Sequence, residues 1–120
     1  MSAMQNSNSG RSPATAIPNS LPYTELAAAL IAEHRADLCV GGIVDKNVGI
    51  VCLIRGNLEY LVVPLSSFGV TPEGEKPDFS RFVVKDGGQT PAFGDYEAGF
   101  DAVLYEQDQE YRRRKNGTNN

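Results

Sequence analysis

The sequence predicts an α+β domain: a small, mostly antiparallel sheet of about five strands with an N-terminal and a C-terminal helix. Three observations carry this. Val48 to Arg55 and Leu58 to Leu65 are two runs rich in Val, Ile, Leu and Tyr, separated by Gly56-Asn57. Such a pair is a short-range signal for a β-hairpin with a primed turn, because Gly and Asn tolerate positive φ. The other two observations are apolar stripes at helical spacing, one before the hairpin and one at the C-terminal end.

Taken in order, residues 1–20 are rich in Ser, Asn, Ala and Pro and carry one charge, Arg11. They offer little apolar area against the entropy of ordering, so a disordered tail is expected. The domain is expected over 21–115, with a second tail at 116–120. The first helix is expected from Pro22, which suits a first turn, to Ala36. Its stripe is Tyr23, Leu26, Ala27, Leu30, Ile31 and His34. A strand follows from Leu38 to Val44, where Gly41-Gly42 signals a bulge or the close approach of another backbone. Asp45-Lys46-Asn47 reads as a turn.

The hairpin is apolar on both faces. Val48, Ile50, Cys52 and Ile54 share one side of its first strand, and Val51 and Leu53 the other. A strand of this kind is covered on both faces, so it belongs at the centre of a sheet or at an interface. Pro64 ends the second strand or marks it as an edge. Residues 66–81 form a long loop punctuated by Gly69, Pro72, Gly74 and Pro77. Phe82 to Lys85 is a short strand, Asp86-Gly87-Gly88 turns the chain, and Gln89 to Phe93 is expected to return as an edge strand interrupted by Pro91. Asp95 is expected to cap a helix over Tyr96–Arg113. Its stripe is Tyr96, Phe100, Val103, Leu104, Gln107 and Tyr111, with acids at its front and Arg112 to Lys115 at its end, as the helix dipole favours.

Composition narrows the function. The chain has 120 residues, 41% hydrophobic, with net charge −4. That balance argues against a general phosphate-backbone binder. No stretch approaches the ~20 apolar residues of a membrane helix, and no secretory leader is apparent, so no membrane partner and a cytoplasmic location are expected. The two cysteines, Cys39 and Cys52, form no CxxC pair, and the single His34 completes no metal spacing. If Asp45-Lys46 is the turn, Cys39 faces Cys52; if Lys46-Asn47 is, Cys39 faces Ile54. In either register both are expected to stay thiols, inert through burial.

The ordered pattern Tyr60-Leu-Val-Val-Pro-Leu-Ser-Ser-Phe68, Asp86-Gly87, Phe93 and an acidic helix ending Val103-Leu104 resembles a family of small bacterial domains of unknown function, some beside toxin–antitoxin-like genes. The resemblance covers about Leu58 to Leu104. Phe93 stands where that family usually has Trp. It implies a small α+β fold and no particular reaction.

No catalytic motif stands out. His34 has a suitable intrinsic pKa for a general base, but sits on an apolar stripe near a helix end. Ser66 or Ser67 has no elbow motif to make it a nucleophile. Glu97 and Asp101, at i and i+4 of the expected helix, form an acidic pair able to hold a divalent cation or to lie solvated. Tyr105 lies opposite the apolar stripe beside Asp101 and Asp108, as a partner anchor would. Arg112, Arg113, Arg114 and Lys115 form a cationic end after six acids. The favoured expectation is therefore a non-enzymatic binding or assembly module, with a protein partner or a homo-oligomer. It makes contact through Tyr105, Asp101, Asp108 and Arg112–Lys115 and uses no cofactor or metal. The alternatives are an antitoxin-like nucleic-acid regulator using the basic end, and a small enzyme using His34 or Glu97/Asp101.

Overall fold

A computed structural model describes residues 17–117. Helix α1 spans Tyr23–Leu30, strands β1 to β3 span Cys39–Asp45, Ile50–Arg55 and Tyr60–Pro64, and β4 to β6 span Phe82–Lys85, Thr90–Phe93 and Tyr96–Glu97. Helices α2 (Phe100–Gln107) and α3 (Gln109–Lys115) close the chain. The class is α+β and all strand pairs are antiparallel. The strands divide into two sheets of three, β1-β2-β3 and β4-β5-β6, where the sequence suggests one sheet of about five; β5, expected at an edge because of Pro91, is central, and Pro91 takes part through its carbonyl, which accepts from the Ala98 N–H.

The first sheet is the expected meander with β2 at its centre. Its register differs from both expected alternatives. The β1–β2 loop runs over Lys46–Gly49, so Ile43 faces Cys52 and Cys39 faces Arg55, with a bulge between Cys39 and Gly41. The Asp45 carboxylate accepts from the N–H groups of Asn47 and Val48, and the Gly49 N–H bonds the Asp45 carbonyl, which lengthens the turn. The shift moves the cysteines apart without changing which side chains share a face, because an even step preserves the pleat. The Gly41 signal has a cause: a Cβ there would lie 2.5 Å from the Pro18 carbonyl oxygen.

At the hairpin the primed turn is not formed. Neither Gly56 nor Asn57 has positive φ; Leu58 does, at 71°. The Arg55 N–H bonds the Glu59 carbonyl and the Leu58 N–H bonds the Arg55 carbonyl, so Leu58 and Glu59 together oppose Arg55 in a glycine-type bulge. Gly56 is needed for room instead: an added Cβ would meet the Arg35 carbonyl oxygen at 2.4 Å.

The inner face of the first sheet buries Val51, Leu53 and Val63 against Leu26, Phe82, Phe100 and Leu104. Beside it, Phe93 is the hub of a ring cluster, with centroids 4.9 Å from Phe68, 5.1 Å from Phe79 and 5.3 Å from Phe82. The cluster draws the expected loop into the fold: its two ends supply Phe68 and Phe79, while Thr71 and Glu75 close a turn between them.

Both helical expectations are shortened. Helix α1 ends at Leu30, and its buried side is Leu26 and Ala29, with Leu30 half-buried; Tyr23, Ala27, Ile31 and His34 are exposed. Leu21, ahead of the helix, supplies the missing apolar contact and donates its N–H to the Val40 carbonyl. At the other end Tyr96 and Glu97 are in β6 rather than a helix, and Gly99, not Asp95, occupies the helix N-cap. The helix then breaks at Asp108, whose φ of −113° and ψ of 105° are extended. The expected stripe still reaches the core: Phe100, Val103, Leu104 and Tyr111 are buried. The expected tail residues 1–16 and 118–120 lie outside the described residues, whereas Ile17–Ser20 pack on β1.

Candidate interaction surface

The first sheet has an outer face of nine positions. Direct pairing places Gly41, Ile54 and Tyr60 in one row, Ile43, Cys52 and Val62 in the next, and Asp45, Ile50 and Pro64 in the third. Asp45 is the single charge. Ile17 lies against Gly41 and Ile54 is buried, so that first row is partly covered. Its β3 end and the next row are open: Tyr60 is 70% exposed, Ile43 52% and Val62 55%. Val48 and Leu58, in the two turns framing the sheet, are also more than half exposed. Ile43, Val62 and Tyr60 on this face present on the order of 300 Å², the lower end of the largest apolar patch of an ordinary monomer, which is often functional.

The two edges of this sheet differ. On the β1 side, the Gly42 N–H bonds the Pro18 carbonyl, the Leu21 N–H bonds Val40, and the Asn19 amide donates to the Gly42 carbonyl. The segment 18–21 therefore covers that edge from Val40 to Gly42. On the β3 side the ladder bonds run from Glu59, Leu61 and Val63 toward β2, as the Arg55–Glu59 and Gly49–Leu65 bonds require by alternation. Tyr60 and Val62 thus turn their N–H and C=O groups outward, and among the described residues no strand pairs with them.

The residues expected to bind a partner gather at the C-terminal helices, but most are engaged within the chain. Asp108 accepts from the N–H groups of Glu110 and Tyr111, capping α3, and its other oxygen accepts from Arg55 Nη1 at 2.9 Å. Burial opposes the Asp108 charge; the bonds from Tyr111, Arg55 and Glu110 outweigh it and hold the carboxyl below its usual range. Arg112 donates to the carbonyls of Tyr105 and Glu106 at the end of α2. Arg113 pairs with Glu110, and Arg114 approaches Asp37 at 3.5 Å. Arg114 and Lys115 both lie 5.4 Å from the Tyr111 ring centre. The Tyr105 hydroxyl donates to Asn116, leaving its ring partly exposed beside Asp101.

Sequence reasoning missed Arg55. It is only 8% exposed, and its guanidinium donates to the Ala36 carbonyl at 2.6 Å and to Asp108, with Asp37 at 3.9 Å. One buried Asp37 oxygen has no hydrogen-bond partner and is held by charge alone. The signal was available: Arg55 falls on the same alternation as the core residues Val51 and Leu53, so it had to be buried and paired.

The alternative sites come apart. His34 is exposed at the start of a 3₁₀ turn and borders a shallow cleft with Asp37, Asp101, Arg114 and Lys115, where charges of both signs alternate. Glu97, on β6, pairs with Lys85, so it shares no helix face with Asp101. Among the described residues no group of three or more His, Cys, Asp or Glu side chains could hold a metal, and no helix is long and apolar enough to cross a membrane. Both cysteines are free; burial pushes the Cys39 thiol up to about 12, while Cys52 is half-buried on the outer face. No family model matches the chain, and no curated protein and no solved structure matches it either.

Proposed function

We propose that this chain is a non-enzymatic binding or assembly module acting through protein–protein contacts, with the first sheet as its contact surface. The observation that carries this reading is the open apolar row Ile43–Cys52–Val62 beside exposed Tyr60. A β-strand apolar on both faces gains from a second cover, and covering this face recovers about 25 cal/mol per Å² before association costs. The basic C-terminal end supports a nucleic-acid reading less well, because Arg112, Arg113 and Arg114 have partners within the chain.

The contact surface moves from the helix residues expected from sequence to the sheet. Tyr105 and Asp101 fit a peripheral role. A tagged chain purified from its host should retain a polypeptide in fixed ratio, either a second copy or another protein. Ile43→Lys with Val62→Lys should release it while leaving the circular dichroism spectrum unchanged. A wild-type chain that is monomeric and holds no polypeptide contradicts the proposal.

A further inference from the structure

We infer that the open β3 edge is built for a second copy of this chain, paired antiparallel about a two-fold axis at Leu61, so that two three-stranded sheets become one of six. This rests on the binding-module reading and names its partner.

The register follows from three residues. Only Tyr60, Val62 and Pro64 face outward on β3, and Pro64 has no N–H to give. Centring the pair on Val62 would set Tyr60 against the partner's Pro64 and lose a donor at each end. Centring it on Tyr60 would set Val62 against the partner's Leu58, which has left the extended region at φ 71°. The remaining register sets Tyr60 against the partner's Val62, and Val62 against the partner's Tyr60. Each pair exchanges two N–H to C=O bonds, so all four outward donors and acceptors at these positions are satisfied.

That register also suits the side chains. Each tyrosine ring lies beside a β-branched valine on the outer face, a favourable cross-strand pair. The row Ile43–Cys52–Val62 continues into the partner's Tyr60 and Ile54, making one apolar band across both sheets. Tyr60–Pro64 contains no charge, the device that usually blocks edge pairing. Glu59 falls opposite the partner's Val63, so the two Glu59 positions are four residues apart along the strand. That is ~13 Å, beyond the ~8–10 Å screening length in ordinary salt. Two copies of net charge −4 therefore meet along a neutral strip.

Closure is also accounted for. Segment 18–21 covers the β1 edge at Val40 and Gly42, so among the described residues β3 is the longer open edge of this sheet, and a two-fold pairing through it ends the assembly at two. An edge contact of about five residues is smaller than the ~800 Å² per partner of a standard interface, so the dissociation constant belongs near the micromolar range.

The test is sedimentation of the purified chain from about 1 to 200 μM, spanning that range. The wild type should pass from monomer to dimer. Val62→Pro removes an N–H that has no bond among the described residues, so the fold is retained and dimerisation weakens at least ~10-fold. Val62→Thr keeps the N–H and the branched shape and should still dimerise. Leu61→Cys, in a Cys52→Ser background, should oxidise to a covalent dimer faster than Ser66→Cys in that background, because the axis brings the two residue-61 Cα atoms to ~4.5–5.5 Å. A wild type monomeric at 200 μM, or a Val62→Pro chain that dimerises as tightly as wild type, overturns the inference. Monomer in that assay alongside a different polypeptide retained from the host removes the second copy and leaves the binding-module reading standing.

Discussion

Arg55 and Asp108 join the sheet to the last helix through one charge-assisted bond, and the energetics of that pair decide how the C-terminal end holds. Removing one partner of a buried ion pair strands the other. Asp108→Ala also removes the cap of α3, so it should cost about 2–4 kcal/mol in urea unfolding. Asp108→Asn keeps a capping oxygen and should cost about 1–2 kcal/mol, the share of the charge. The Asp108 carboxyl is held below its unfolded value, so its stabilisation is complete above about pH 4 and is lost as pH falls through the folded value. The asparagine variant should accordingly show a flatter loss of stability below pH 4 than wild type. Leu58 gives a prediction of the opposite sign. A leucine at φ 71° is strained, and Leu58→Gly should stabilise the chain by about 0.5–1 kcal/mol. Gly56→Ala, two residues earlier, should destabilise it by about 1–3 kcal/mol, because its Cβ has no room beside Arg35.

At the scale of elements, strand alternation and the period of the C-terminal helices were legible, whereas the stripe of the first helix, of which only Leu26 is buried and Leu30 half-buried, and the breaks between elements were not. Val51 and Leu53 fall inward and Ile50 and Cys52 outward as their alternation requires. Phe100, Val103, Leu104 and Tyr111 are buried as their spacing requires. That same spacing hid the interruption at Asp108, since a capping aspartate inside an acidic run looks like any other surface acid. Tyr96 reaches the ring cluster from a strand because a tight turn at Gly94-Asp95, with Gly94 at φ 69°, folds it back beside Phe93, and the helical spacing of the apolar stripe masked that turn. The four-residue β1–β2 loop was illegible for a similar reason: Asp45 bonding its own turn selects the length, and local composition fits shorter turns equally well. The register it sets has a chemical consequence. Cys39 and Cys52 are not opposed, so both should remain thiols. Under native conditions an alkylating reagent should label Cys52 first, and Cys39, with its thiol pushed to about 12, only on unfolding. Labelling of Cys39 at the faster rate contradicts this account.

For the whole molecule, the division into two sheets matters more than the count of strands. One sheet of five would have left two edges far apart; here the chain's own segment 18–21 covers the β1 edge of the first sheet at Val40 and Gly42, while among the described residues no strand pairs with its β3 edge. A chain beginning at Leu21 should therefore expose a second edge and grow beyond the dimer in light scattering, whereas one beginning at Ile17 should not. The most direct measurement is amide hydrogen exchange at Tyr60 and Val62, beside Leu61 and Val63 on the same strand. Leu61 and Val63 donate to β2 in every state and should be protected at all concentrations. The central claim predicts that Tyr60 and Val62 exchange freely in dilute solution and become protected when the surface is occupied, on concentration of the chain or addition of its partner. Free exchange at both positions in the concentrated and the partner-bound states would contradict it.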